Sequence, residues 1–300
     1  MSRFLVTGAF GCIGAWTVAE LVGGGREVVT FDLAAEPRRL ALLLDELEGF
    51  DHVVGDITDT NAVDRAFDGI THVIHLAALQ VPFVRADPPL GARVNVLGTV
   101  NVFEAAKKRD IRVVYASSIA ALDADGETVG VPTTLYGAFK RANEHTAAVY
   151  HAEHGVESIG LRPHTVYGVG RDQGMTSAPT VAMLAAAAGR SYTIPYGGSC
   201  QMQFARDVAA AFIDAADSDA AGATVHNLPG RRVSVDEIVD TIGSDRIGHD
   251  DTLLPFPEEV DATSFAEIVP GFSETPLAEG VGVTVERFRT LLANGEVTYE

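Results

Sequence analysis

The chain has 300 residues, 47% hydrophobic and 21% charged, which excludes a disordered or fibrous protein and leaves room for a sizeable core. Its formal net charge of −19 argues against nucleic acid or an anionic membrane as partner, since both would repel it. Lysine is nearly absent (Lys107, Lys108 and Lys140), and two cysteines, Cys12 and Cys200, are too few for a disulfide framework and read as reduced, buried thiols. No apolar run reaches the ~18 residues of a spanning helix. The first residues enter a strand pattern with no signal-peptide core, so a soluble, cytoplasmic protein is expected.

Short β-branched runs alternate with longer helical stretches. Residues 3–7 (RFLVT) read as a first strand, and 13–22 as a helix stopped by the glycines at 23–25. Strands are predicted over 27–32, 52–55 and 71–76, with a helix over 61–67. A long helix over 90–109, a strand over 111–116, a second long helix over 135–154 and a strand over 157–161 follow. This alternation implies βαβ units in a doubly wound parallel sheet, with the ligand crevice at the carboxyl ends of its strands. The pattern changes after Gly168. Helices are predicted over 176–188, 204–216, 234–242 and 284–293, and a strand over 225–228; Ser234 and Glu237 have capping-box spacing. The fold class is α/β, with a nucleotide-binding domain over 1–168, to which the chain returns near 204–228, and a smaller mixed substrate lobe over 169–300.

Thr7-Gly8-Ala9-Phe10-Gly11-Cys12-Ile13-Gly14 lies between the first strand and the first helix. Glycine permits positive φ and close backbone approach to a pyrophosphate, and the helix amino terminus adds free N–H groups and partial positive charge. Asp32 ends the second strand eighteen residues after Gly14. A carboxylate there accepts hydrogen bonds from the adenosine ribose and repels a 2′-phosphate, favouring NAD over NADP. Arg38 and Arg39 work against that preference.

Tyr136 and Lys140 are four residues apart at the start of a predicted helix and share a face. A nearby cation lowers a phenol's pKa and makes tyrosinate accessible as a general base. That one of three lysines falls here, just downstream of Ser117-Ser118, separates the pair from an ordinary solvated surface pair.

These motifs resemble the extended short-chain dehydrogenases/reductases, of the NAD-dependent epimerase/dehydratase family. The resemblance covers residues 3–230. It is carried by the glycine turn, Asp32, Gly55-Asp56-Ile57, His75-Leu76-Ala77-Ala78, Asn95 through Thr99, Ser117-Ser118, Tyr136-x-x-x-Lys140, Leu161-Arg162-Pro163, Val166-Tyr167-Gly168 and Asp207-Val208. It implies a Rossmann-type sheet binding NAD. It places Asp56 and Ile57 at the adenine, Leu76, Ala77 and Ala78 along ribose and pyrophosphate, and Pro163 at the nicotinamide. Lys140 would hold the nicotinamide ribose, and Asn95 an active-site water and the helix geometry. Ser118, rather than Ser117, would hydrogen-bond the substrate hydroxyl, which loses its proton to Tyr136 and its hydride to NAD. The resemblance also implies a homodimer through a four-helix bundle of 90–109 and 135–154.

Departures from the family pattern narrow the reaction. Ile119, Ala120 and Ala121 stand where dehydratases carry carboxylates, which disfavours water elimination. Thr165 and Cys200 stand where members acting on nucleotide sugars carry an Asn and an Arg that hold a diphosphate. Arg171, Arg190, Arg231 or Arg232 could substitute. The expectation is hydride transfer on a sugar-like secondary alcohol, with His164 and Arg171 as further substrate contacts. The alternatives are a nucleotide-sugar 4-epimerase with tightly bound NAD, and a non-catalytic NAD sensor, which would have no reason to keep Ser118, Tyr136 and Lys140. The histidines, including the pair His151 and His154 on one helix face, read as solvated or core residues, and no metal site is expected.

Overall fold

The computed structural model describes residues 2–299. The chain runs β1 (Arg3–Thr7), α1 (Cys12–Gly23), β2 (Glu27–Asp32), α2 (Arg38–Ala41), β3 (Phe50–Val54), α3 (Thr60–Ala66), β4 (His72–His75), α4 (Val81–Ala86), α5 (Pro88–Ala92), α6 (Gly98–Lys107), β5 (Val113–Ala116), α7 (Leu135–His154) and β6 (Ser158–Arg162). There follow β7 (Thr165–Tyr167), α8 (Ala178–Ala187), β8 (Tyr192–Ile194), β9 (Ser199–Phe204), α9 (Ala205–Asp217), β10 (Ala223–Asn227), β11 (Arg231–Ser234), α10 (Val235–Ile242), β12 (Ile247–His249), α11 (Phe265–Ile268) and α12 (Leu277–Ala293).

Seven strands form one parallel sheet in the order β10-β6-β5-β4-β1-β2-β3. Its strands are apolar on both faces because helices cover both. On β1, Phe4 and Val6 pack with Val18 and Leu21 of α1 and Phe212 of α9. Leu5, one residue out of phase, packs the opposite face with Val63 of α3 and Phe103 of α6. Strand order reverses between β1 and β4, which opens the crevice at their carboxyl ends. His75 closes β4 there. Its ring nitrogens pair with Thr7 Oγ1 at 2.7 Å and Thr99 Oγ1 at 3.0 Å, and burial pulls its pKa down to about 3, so the ring is a neutral strut.

The later part of the chain adds a three-stranded sheet, β11-β9-β7, and a two-stranded one, β12-β8. Helices α8, α10 and α12 pack with them around Met183, Ile238 and Val285. β9 is not among the strands read from the sequence pattern, although the resemblance puts Cys200 near the start of a strand leading to Asp207; its alternate positions, 201 and 203, are glutamines. Those glutamines are buried in β9 and spend their amides on backbone. Gln201 exchanges two hydrogen bonds with Val260, and Gln203 accepts from His164 N and donates to Leu228 O.

Two helices differ from expectation. The helix predicted over 90–109 is broken into α5, a wider π-type turn over Arg93–Leu97, and α6. The Asn95 carbonyl there accepts from Thr99 Oγ1 and Asn143 Nδ2, which competes with regular winding. The last helix begins at Leu277, not near 284; Gly280 and Gly282 mask its pattern in the sequence. Gly280 is required because Tyr167 Oη would lie 2.1 Å from a Cβ. Among the described residues no helix is long and apolar enough to cross a membrane.

Candidate active site

The turn after β1 is built for close approach. Gly8 has φ +67°, and a Cβ there would stand 2.6 Å from Ala77 N. Gly11 caps α1 without a side-chain hydrogen bond, so the first N–H groups of the helix stay open to the cleft beside it. That cleft has a volume of about 830 Å³. Gly8, Gly11, Cys12, Leu76, Ala77 and Ala78 form its floor, and Asp32, Asp56 and Ile57 its far end. Asp32 is fixed in place: Oδ2 accepts Phe10 N at 2.9 Å and Oδ1 accepts Ala34 N at 3.0 Å. Asp56 Oδ1 accepts both the N and Oγ1 of Thr58 at 2.8 Å. A turn without Cβ atoms at Gly8 and Gly11, an open helix terminus and a carboxylate at the end of β2 fit a dinucleotide, its pyrophosphate at the first two and its ribose at the third. Arg39, whose charge the sequence set against NAD, is held by Asp172 and the Phe10 carbonyl, and Arg38 pairs with Glu36 on the surface.

A smaller cavity of about 180 Å³ continues from this cleft and shares with it the glycine turn and the residues after β4, together with Gln80 and Arg171. Ile13, Gly14, Ser118, Tyr136, Lys140, Pro163, His164 and Arg171 line it. Helix α7 reaches the Ser118 turn because residue 137 is glycine: a Cβ there would lie 1.9 Å from Ala120 O. Thr134 Oγ1 caps the same helix by accepting Gly137 N at 3.0 Å. Ser118 caps the short turn Ile119–Ala121, and its hydroxyl pairs with the Tyr136 phenol. Burial raises the Tyr136 pKa, while the Ser118 hydrogen bond and the Arg171 charge lower it.

Lys140 is buried, with Nζ donating to Ala116 O at 2.6 Å and standing 5.6 Å from the centre of the Tyr136 ring. Burial pulls its pKa down to about 8, and the Glu144 charge opposes that. The sequence assigns the tuning of Tyr136 to Lys140; the structure brings a second cation, Arg171, to the same cavity, and its charge also lowers the Tyr136 pKa.

Three further expectations are corrected. Asn95, expected at the cofactor, lines neither cavity. Its amide exchanges two hydrogen bonds with the Leu79 backbone, at 2.7 and 2.9 Å, and thereby fixes the chain leaving β4. His164 borders the smaller cavity with both ring nitrogens engaged, Nδ1 by Thr165 Oγ1 and Nε2 by Pro257 O. Burial pulls its pKa down to about 4, so it tethers the 250s segment as a neutral ring. Of the four substitute cations only Arg171 lines the cavity. Arg231 pairs with Glu237, Arg232 with Glu258, and Arg190 is exposed elsewhere.

Sequence reasoning misses the support behind the cavity. Glu144 receives Arg162 in a buried two-pronged pair, Nε to Oε1 and Nη2 to Oε2, each 2.7 Å, and also accepts from Ser117 Oγ. Ser117 is therefore spent, which leaves Ser118 as the free hydroxyl. Glu144 was findable: it stands four residues after Lys140, on the same helical face. Arg39, Asp172 and Phe256, brought in from distant segments, carry no local signal.

The parallel sheet, the glycine turn at its switch point and the cavity beside it define a Rossmann-type dinucleotide-binding enzyme. The sequence profile described as the NAD dependent epimerase/dehydratase family matches residues 4–228. The chain belongs to that family, and NAD is its cofactor. It is 30% identical to the UDP-glucose 4-epimerase of Mycolicibacterium smegmatis, over 96% of this chain and 98% of that one. It is 36% identical to the L-arabinose 1-dehydrogenase (NAD(P)(+)) of Haloferax volcanii, over 54% of this chain and 66% of that one. The crystal structure of Thermus thermophilus UDP-glucose 4-epimerase in complex with NAD superposes with a TM-score of 0.81 at 25% identity, covering 96% of this chain and 99% of that one.

Proposed function

We propose that this NAD-dependent epimerase/dehydrogenase transfers a hydride at a secondary alcohol of a sugar or sugar-like substrate that carries no nucleotide. The observation behind this reading is the convergence of Ser118, Tyr136 and Lys140 on a cavity of about 180 Å³ that opens into the dinucleotide cleft and has Arg171 as the one guanidinium among its lining residues. A nucleotide sugar would bring a diphosphate, whose two negative charges call for more than one partner.

In this reading the substrate hydroxyl hydrogen-bonds Ser118 Oγ and gives its proton to Tyr136 Oη. Bound NAD supplies the hydride acceptor. Burial opposes the tyrosinate, and Ser118 and Arg171 offset that cost. Lys140 adds a second positive charge one helical turn away, held by the Ala116 carbonyl and backed by Glu144. Gly8, Gly11, Asp32 and Asp56 hold the dinucleotide, Leu76, Ala77, Ala78 and Pro163 shape its path, and Asn95 positions Leu79.

A second reading, a nucleotide-sugar 4-epimerase with tightly bound NAD, draws on the full-length similarity to a UDP-glucose 4-epimerase. Mass spectrometry of nucleotide released by denaturing the purified protein separates the two. Net oxidation predicts an empty site that binds added NAD. Retained NAD in near-stoichiometric amount would favour the epimerase. The same reading expects a homodimer through α6 and α7, where Leu97 beside α6 and Val149 on α7 expose apolar side chains. Sedimentation as a monomer would contradict it.

A further inference from the structure

The segment after β7 reaches back over the dinucleotide cleft. Arg39 on α2 grips Asp172 through two nitrogens of its fork: Nε lies 3.0 and 3.2 Å from the two carboxylate oxygens, and Nη2 lies 2.8 Å from Oδ1. Its remaining nitrogen, Nη1, donates to the carbonyl of Phe10 in the glycine turn at 3.2 Å. One guanidinium thus ties the turn beneath the cleft to the loop above it, and Arg39, Gly170 and Asp172 all line that cleft. Gly170 has φ +86°, and its open Cα face lies against the Arg39 stem, where a Cβ would stand 3.6 Å from Arg39 Cβ. The residue between them, Arg171, borders both cavities, donates to Thr176 Oγ1 at 3.1 Å and carries a charge that favours the tyrosinate of Tyr136.

We infer that Arg39 and Asp172 form a clasp that closes the dinucleotide cleft, slows release of NAD and holds Arg171 at the catalytic cavity. The inference rests on the reading of the two cavities above, but its logic is separate. A bidentate arginine–carboxylate pair is geometrically demanding, and each half here comes from a different wall of the cleft. An unclasped carboxylate in that place would have the opposite effect, because it would repel the diphosphate of the cofactor and speed its escape. Asp172 and Arg39 are therefore positioning residues: they act on cofactor retention and, through the loop, on Arg171.

The test uses no sugar. The protein is loaded with NADH, excess NAD is added, and loss of NADH fluorescence is followed by stopped flow for the wild type, Asp172→Asn and Asp172→Glu. The clasp predicts release about five- to tenfold faster in Asp172→Asn, as expected on losing a well-aligned, partly exposed ion pair. Asp172→Glu should return to within about twofold of wild type, since it keeps the charge and the fork partner. Trp16, the only tryptophan, gives a second readout: its Nε1 donates to Val169 O at 2.9 Å, so a freed loop shifts its emission. Unchanged or slower release from Asp172→Asn overturns the clasp, slower being the result for a carboxylate that merely repels phosphate. Failure of Asp172→Glu to restore slow release overturns it as well. Neither result touches the Tyr136 chemistry, which Tyr136→Phe tests independently; a wild-type chain that bound no NADH would overturn both.

Discussion

The dinucleotide cleft and the cavity beside it are adjoining sites built by opposite means. The cleft is made where strands end and helices begin, largely from backbone: a turn that lacks Cβ atoms at Gly8 and Gly11, an open helix terminus and one fixed carboxylate. The catalytic side of the cavity is made of side chains brought from the turns after β5 and β6, from α7 and from two later loops, and its polar groups are held by partners behind them. The phosphate-facing part of the first is written in local sequence. The second depends on distant packing, so its chemistry is sensitive to residues that never reach the substrate.

Substitutions can break this contrast, beginning with the largest effect. Tyr136→Phe should lower turnover by about a thousandfold, the scale of a lost general base, while circular dichroism and NADH binding stay unchanged. Glu144→Gln should cost about 3 kcal/mol in urea unfolding, because it leaves the buried Arg162 guanidinium without its counter-charge; a change below about 1 kcal/mol would show the support to be dispensable. Gly137→Ala should cost about 2 kcal/mol and most of the activity, since α7 must back away from the Ala120 carbonyl. In the cleft, Cys12→Ala should leave NADH affinity within about threefold of wild type, as the amide there, not the thiol, faces the cofactor.

The smallest effect is a pH dependence. The folded Lys140 value of about 8 lies below the ordinary 10.5, so between these values the unfolded chain binds the extra proton. Stability should therefore rise with pH across that window, by up to about 1.4 kcal/mol per pH unit from this group. Above pH 10 the raised pKa of Tyr136 adds to stability at lower pH and loses it as pH climbs, because the folded chain then holds the proton. Burial raises the Cys12 and Cys200 thiols to about 11, which contributes the opposite slope above pH 9 in any variant that keeps them, so the check is a difference: urea unfolding from pH 8 to 10 should give wild type a more positive slope than Lys140→Met.

The same contrast explains what could be read in the sequence. The strand–helix alternation, the glycine spacing and Asp32 are local patterns, and the parallel sheet follows from them with its switch point in place. Tyr136 and Lys140 were visible as one helical face, but the second cation at the phenol was not, since Arg171 arrives from another loop. Asn95 and His164 looked available because their hydrogen-bond partners, Leu79 and Pro257, are fixed only by the fold. β9 was hidden because its alternate positions are glutamines that satisfy loop backbone rather than solvent.

The central claim is hydride transfer to NAD from a sugar alcohol that carries no nucleotide. It is tested by incubating the protein and NAD with a panel of free aldoses and, in parallel, with UDP-glucose. Absorbance at the NADH band and the products by nuclear magnetic resonance are the readouts. The account predicts that NADH accumulates with at least one free sugar and not with UDP-glucose. Interconversion of UDP-glucose and UDP-galactose, with no NADH from any free sugar, would contradict it.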